Sequence, residues 1–338
     1  MKIEVFMLSG QNNGEKDVLR AYHRGILNYL FSHYLNVCPE ETQIPKLTKT
    51  LAESHDIKVN LNYNDTCGED VDLAVIFGSA KDREALHHIV RSSVIKNARN
   101  YIVIETPLLN RSIVKASNHT YYRTGLNGFL QDDGEFNLNN LTKRRLTTLN
   151  INTSPFKDHS EGNLLILCQL PGDASLRHSD HGEWLMETIS RIRDITDRQI
   201  CIRFHPAMSE KGHENFFKDI GKIVFENHND IVWSDGKSSS LQSDFDNAGL
   251  CITYSSGSAI DAVIAGIPTI AVDAGNFAYP ISSKTIDCIN APYIPTEEER
   301  EEWLIKLAHC QWNRSEMVEG DAFGHLFPKI MENIDVQD

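Results

Sequence analysis

The chain has no paired cysteines, no long apolar run and no excess of positive charge, and each lack removes a class of protein. Its seven cysteines, Cys38, Cys67, Cys168, Cys201, Cys251, Cys288 and Cys310, are scattered, with no C-x-x-C pair. An odd, dispersed set, three of them inside strand-like apolar runs, reads as reduced core thiols and not as a disulfide frame or zinc site. No apolar stretch approaches the roughly 20 residues that a membrane-spanning helix needs. The start, Met1-Lys2-Ile3-Glu4-Val5, lacks a signal-peptide pattern and runs directly into a strand, so a cytoplasmic protein is expected. No repeat at a fixed short period and no low-complexity tract occurs. The formal net charge of −14 repels polyanions at long range, which counts against a generic nucleic-acid binder. Lys143-Arg144-Arg145 is the only compact basic run.

What is present is an ordinary globular composition, 41% hydrophobic and 24% charged over 338 residues, enough for two domains with separate cores. The first half has apolar runs at 3–8, 73–77 and 101–104, with helical patterns at 17–35 and 84–96. Residues 137–155 are polar and rich in Asn and Thr, and read as a linker. The alternation then restarts: strand 164–169, helix 183–196, strand 200–204, helix 214–225, strand 231–234, and a strand–helix–strand unit over 250–273. A charged helix over 297–309 follows. This order predicts an α/β protein of two Rossmann-like, doubly wound lobes with a ligand cleft between their strand carboxyl ends. The expected division is 1–155, an acceptor-side lobe, and 156–312, a donor-side lobe, with 313–338 packing back on the first.

Three strand ends in the second half converge on polar residues. One is Gln169-Leu170-Pro171-Gly172-Asp173, a strand breaking into a Pro-Gly turn. Another is Arg203-Phe204-His205-Pro206, where proline stops the strand after a histidine. The third is Ser255-Ser256-Gly257-Ser258, which turns a buried strand into a small-residue helix carrying Asp261 one turn in. A histidine before proline also serves as a plain strand end, and a serine-rich turn as a plain helix cap. In one parallel sheet, however, the three edges share a crevice. Gln169, Gly172, Arg203, His205, the three serines and Gly257 are therefore expected to hold an anionic ligand such as a phosphate, with Asp261 placed to accept ribose or sugar hydroxyls.

His205-Pro206 followed about fifty residues later by Ser255-Ser256 resembles the HP and SS/ST motifs of bacterial sialyltransferases and capsule glycosyltransferases of GT-B type. A larger part of the chain is similar to a family of bacteriophage glycosyltransferases. The similar segments are Val18-Leu19-Arg20-Ala21, Leu73-Ala74-Val75-Ile76-Phe77-Gly78, Asn127-Gly128 after Tyr121-Tyr122, Thr196-Asp197-Arg198, residues 256–266, and Gln311-Trp312 with Glu316-Met317. The first resemblance implies that the histidine and serines hold the phosphate and sugar of a nucleotide-sugar donor, with a UDP-sugar the expected co-substrate. The second implies transfer of a glucose- or arabinose-type sugar to 5-hydroxymethylcytosine in phage DNA, in the host cytoplasm. The alternative acceptor is a polysaccharide or a lipid-linked saccharide, which the net charge favours. A reading from another class, an epimerase-like or purely ligand-binding two-lobe protein, also stays open.

Other motifs have plainer explanations. Asp132-Asp133-Gly134 reads as a turn, Asp244-Phe245-Asp246 as a helix end, and His178-Ser179-Asp180-His181 as a polar loop, so a metal-independent reaction is expected. The general base is expected to be Glu105, which ends the strand 101–104, with Asp173 and His181 as competitors. A DNA acceptor would need a basic rim, for which Lys143, Arg144 and Arg145 are the compact source and Arg111, Lys115 and Arg123 the possible neighbours.

Overall fold

The computed structural model describes residues 1–335 except 65, 69, 79–85, 112–118, 178 and 210–229. The chain divides into two compact units. One comprises Met1–Phe129, Asp133–Leu149 and Ile305–Asp338; the other comprises Leu130–Asp132 and Asn150–Leu304.

The first unit is built on a six-stranded sheet. Strands β1 (Lys2–Phe6), β2 (Lys58–Asn62), β3 (Leu73–Phe77) and β4 (Asn100–Glu105) run parallel, and β5 (Tyr121–Leu126) and β11 (Gln311–Asn313) join antiparallel to give the order β11-β5-β4-β3-β1-β2. Helix α1 (Asn13–Leu35) starts at a capping box in which Asn12 and Glu15 bond each other's backbone N–H groups, and it ends at Asn36 in the left-handed region. Its buried residues Val18, Leu19, Tyr22, Ile26, Leu30 and Phe31 recur at helical spacing and join Ile3, Val5, Leu73 and Val75 in one core. Helix α2 (Ile44–His55) lies before β2, α3 (Leu86–Asn97) lies before β4, and α4 (Lys143–Leu149) occupies part of the stretch read as linker. That stretch is anchored because Leu146 and Leu149 are buried among polar neighbours.

The sequence reading passed over β2, β5 and β11. β2 is an edge strand with alternating polar residues, β5 buries Arg123 and Thr124 where an apolar run would be expected, and β11 has only three residues. The last helices, α9 (Arg314–Glu319) and α10 (Asp321–Asp335), pack on α1. The Asn28 side chain donates to the Val318 carbonyl, and Tyr29 meets Phe323 and Phe327 with ring centroids 5.6 and 5.1 Å apart.

The second unit has a five-stranded parallel sheet in the order β10-β9-β6-β7-β8. Its strands are β6 (Asn163–Leu167), β7 (Ile200–Phe204), β8 (Ile231–Asp235), β9 (Ala248–Thr253) and β10 (Thr269–Ala271). The central strands β6 and β9 are covered on both faces and are largely apolar, as expected for a parallel sheet, whereas β8 exposes Val232 and Trp233. Leu164, Ile166, Ile200, Ile202, Leu250 and Ile252 face α5 (His181–Ile195). Leu165, Leu167 and Cys251 face the side of α6 (Leu241–Asn247) and α7 (Ser258–Ile264). Helix α8 (Glu297–His309) leads the chain back into the first unit. The helix expected over 214–225 lies outside the described residues, as do the first two residues of the helix expected over 84–96. All seven cysteines are free, and burial pushes the thiols of Cys168 and Cys201 up to about 12 and about 11.

The α1–α9 contact depends on one glycine. A Cβ on Gly25 would stand 1.8 Å from the Met317 carbonyl oxygen. Gly25→Ala should therefore force the two helices apart and cost about 1–3 kcal/mol, read as an earlier urea-unfolding midpoint.

Candidate functional site

The sheet of the second unit changes direction between β6 and β9, because β7 and β8 follow β6 on one side while β9 and β10 lie on the other. At such a switch point the connections diverge and open a crevice beyond the strand carboxyl ends. The backbone ladder also stops there, so the N–H groups just past each strand need side-chain acceptors.

Gln169 meets this need for β9. Its Oε1 accepts the Ser255 N–H at 2.9 Å, and its Nε2 donates to Ser255 Oγ at 3.0 Å and Ser175 Oγ at 2.6 Å. Ser255 Oγ donates in turn to the Ser175 carbonyl at 2.7 Å. Asp173 Oδ1 completes the chain by accepting from the Ser175 N–H and hydroxyl at 3.0 and 2.8 Å. Gly172 takes φ +70 in the preceding turn, a conformation that suits glycine. The Gln169 N–H donates to His181 Nε2 at 2.9 Å, so the imidazole is neutral with its proton on Nδ1. Burial lowers the His181 pKa to about 4, against the opposing pull of Asp180, and Trp184 stacks on the ring at 5.1 Å.

On the same edge Ser256 donates its N–H to Thr253 Oγ1, and its Oγ accepts from the Ser258 N–H at 3.3 Å. Gly257 caps α7, and Asp261 sits half-buried in its first turn. With seven residues α7 carries a small dipole, so hydroxyls and individual N–H groups dominate the local field. His205 follows β7, the other neighbour of β6. Its Nδ1 accepts the Ala207 N–H at 3.1 Å, which leaves Nε2 as the donor of the neutral ring.

Arg203 departs from expectation. The pleat turns its side chain to the α6 face, where Nη1 bonds Asp244 Oδ2 at 2.5 Å and Ser239 Oγ at 3.1 Å, and Nη2 bonds the Ser239 carbonyl. It is a buried structural cation paired with Asp244, a residue of α6. His181 likewise has the Nε2 lone pair that a base would use already occupied. Asp173 caps a short helical turn through Oδ1.

The remaining expected residues lie in the first unit. Glu105 ends β4 opposite Arg123, and its Oε2 accepts the Thr106 N–H at 2.9 Å. Arg123 is buried under Phe129, and burial lowers its pKa while Glu105 counters the shift. Arg145 stacks 3.8 Å from the Trp312 ring centroid, donates from Nε to the Ala308 carbonyl, and pairs with Glu316 at 2.8 Å. It fastens α4 to the β11–α9 segment. Lys143, Arg144 and Arg111 are exposed, whereas Lys115 and His178 lie outside the described residues.

No protein-family model and no curated protein matches the chain. Among solved structures, the beta Kdo 2,7 transferase KpsC of Thermosulfurimonas dismutans gives a TM-score of 0.44 at 10% identity, covering 96% of this chain and 99% of that one. The beta Kdo 2,4 transferase KpsC of the same organism gives 0.43 at 12%, covering 79% and 87%. The E. coli heptosyltransferase WaaC with ADP gives 0.25 at 9%, covering 80% and 86%. Values this low establish neither a family nor an activity.

The buried neutral His181 has a testable consequence. Its folded pKa lies below the ordinary 6.5, so its contribution to stability is complete above about pH 6.5 and is lost as the pH falls towards about 4. His181→Gln keeps an acceptor for the Gln169 N–H but removes this titration. Chemical denaturation across that range should show a shallower acid loss than in the wild type.

Proposed function

We propose that the chain is a nucleotide-sugar-dependent glycosyltransferase that holds its donor at the β6–β9 switch point of the second unit. The observation that carries this reading is the tie from Gln169 to Ser255 and Ser175, which fixes the loops after β6 and β9 to each other around one crevice edge. That edge carries the Ser256 hydroxyl, and His205 follows the neighbouring strand β7 with its Nδ1 accepting, a set of groups suited to phosphoryl oxygens. A departing nucleoside diphosphate gains negative charge as the glycosidic bond breaks. A donor held in place for that charge is worth on the order of 10²–10³ in rate. No metal is invoked, and the proposed donor is a UDP-sugar. Of the three expected bases, Glu105 keeps a carboxylate oxygen, Oε1, with no hydrogen-bond partner among the described residues, and we assign it the acceptor proton.

The acceptor we favour is a saccharide, polymeric or lipid-linked. Two of the six cations expected on a DNA-binding rim, Arg123 and Arg145, are spent on packing, and the net charge is −14. Lys143 and Arg144 leave a small exposed basic patch, which makes hydroxymethylated DNA the comparison substrate.

Calorimetry with UDP-, GDP-, CMP- and ADP-sugars should identify one tight donor. His205→Ala should weaken it by about 10-fold or more, the loss of one charge-assisted hydrogen bond, with an unchanged circular dichroism spectrum. Unchanged affinity with lowered stability would make His205 structural. Turnover on oligosaccharides but not on DNA carrying 5-hydroxymethylcytosine is expected; the reverse would assign the enzyme to DNA.

A further inference from the structure

The first unit has a switch point of its own. β1 lies between β2 and β3, so the connections on its two sides diverge beyond its carboxyl end. Past β1 the chain turns through Leu8-Ser9-Gly10-Gln11 into α1, and Gln11 Oε1 accepts the Leu8 N–H at 2.9 Å. That bond orients the carboxamide and commits its oxygen. Gln11 is 6% exposed, and its Nε2 has no acceptor among the described residues.

Past β3, Gly78 adopts φ +76, and the Arg91 guanidinium from α3 lies directly on it. A Cβ at Gly78 would stand 3.1 Å from both Cζ and Nη2, so the glycine is what admits the arginine there. Arg91 is also 6% exposed and makes no hydrogen bond or ion pair among the described residues. Burial lowers its pKa, and the carboxylates facing it, Glu15 on α1 and Glu105 on β4, counter the shift without reaching ion-pair distance. Helix α1 begins at the same place with 23 residues behind it, and its first-turn N–H groups at Asn13 and Gly14 have no intrahelical acceptor.

A buried guanidinium without an acceptor is costly, and a buried amide donor adds to the cost. Both costs are met by the same kind of guest. We propose that the first unit carries a phosphoryl-binding site at its β1–β3 switch point, formed by the Arg91 guanidinium, Gln11 Nε2 and the first-turn N–H groups of α1. A tetrahedral phosphoryl group offers three oxygens to donors on three sides, which suits three separate donor groups better than a planar carboxylate does. Gly78 keeps the guanidinium flat against the sheet edge and close to α1. The site belongs to the first unit alone and stands whether or not the second unit binds a nucleotide sugar.

The test is equilibrium dialysis of the full chain against radiolabelled inorganic phosphate at constant ionic strength. Arg91→Gln removes the cation. Gln11→Glu keeps the oxygen that accepts the Leu8 N–H but replaces the donor with a repelling one. Each should weaken one class of phosphate sites by about tenfold or more, whereas His205→Ala in the second unit should leave that class intact. Circular dichroism should match the wild type; if Arg91→Gln fails to fold, Gln11→Glu decides alone. Wild-type phosphate binding in the folded variants would overturn the proposal, and so would displacement of phosphate by equimolar acetate.

Discussion

The carboxamide of Gln169 is the constraint on which the second unit's candidate site rests. Where parallel strands diverge, the sheet cannot satisfy the next backbone groups, and water or a side chain must. Here one buried side chain bonds the Ser255 N–H and hydroxyl together with Ser175, while its own backbone N–H is taken by His181. The loops after β6 and β9 are thereby locked to each other and to the start of α5. Ser256 and Ser258 inherit their placement from that lock, since they follow Ser255 without a flexible spacer. Loss of the carboxamide would strand several buried polar groups at once, which makes the site cooperative.

A glutamine answers the same need in the first unit with a different outcome. Gln11 Oε1 takes the Leu8 N–H, but no neighbouring hydroxyl accepts from its Nε2 among the described residues. The second unit closes its switch point by internal hydrogen bonds; the first leaves donors, including Arg91, pointed at the strand edge. Both solutions hold polar groups rigidly, and they differ in whether the protein supplies the acceptor. The arginines divide in the same way. Arg203 and Arg145 are fully engaged with carboxylates and carbonyls and stabilise packing. Arg91 has nearby carboxylates but no hydrogen bond to them.

Much of the frame was legible in the sequence. Strands such as 73–77 and 164–167 are continuous apolar runs because both faces of a parallel sheet are covered, and the breaks at Pro171-Gly172 and Pro206 follow β6 and β7. The convergence of Gln169 with Ser255 follows from strand order, which the alternation of elements suggests but only tertiary contacts establish. β5 and β11 were illegible for a physical reason: a buried strand with arginine and threonine, and a three-residue strand recruited from the far end of the chain, carry no local periodicity. Gln11 and Arg91 gave no signal either, since neither lies in a motif and the position of Arg91 depends on Gly78.

The sequence by itself determined the α/β class, the reduced cysteines and the positions of the strand ends, because these follow from apolar periodicity, spacing and the breaking effect of proline and glycine. Tertiary structure decided the direction in which each polar side chain works. One step of the pleat sends Arg203 to Asp244 under α6, and a stacking contact with Trp312 draws Arg145 inward beside Arg144, which stays exposed. Residues one or two places apart thus have opposite fates, because side-chain direction alternates along the strand and rotates around the helix, and the partner waiting on each side comes from distant sequence.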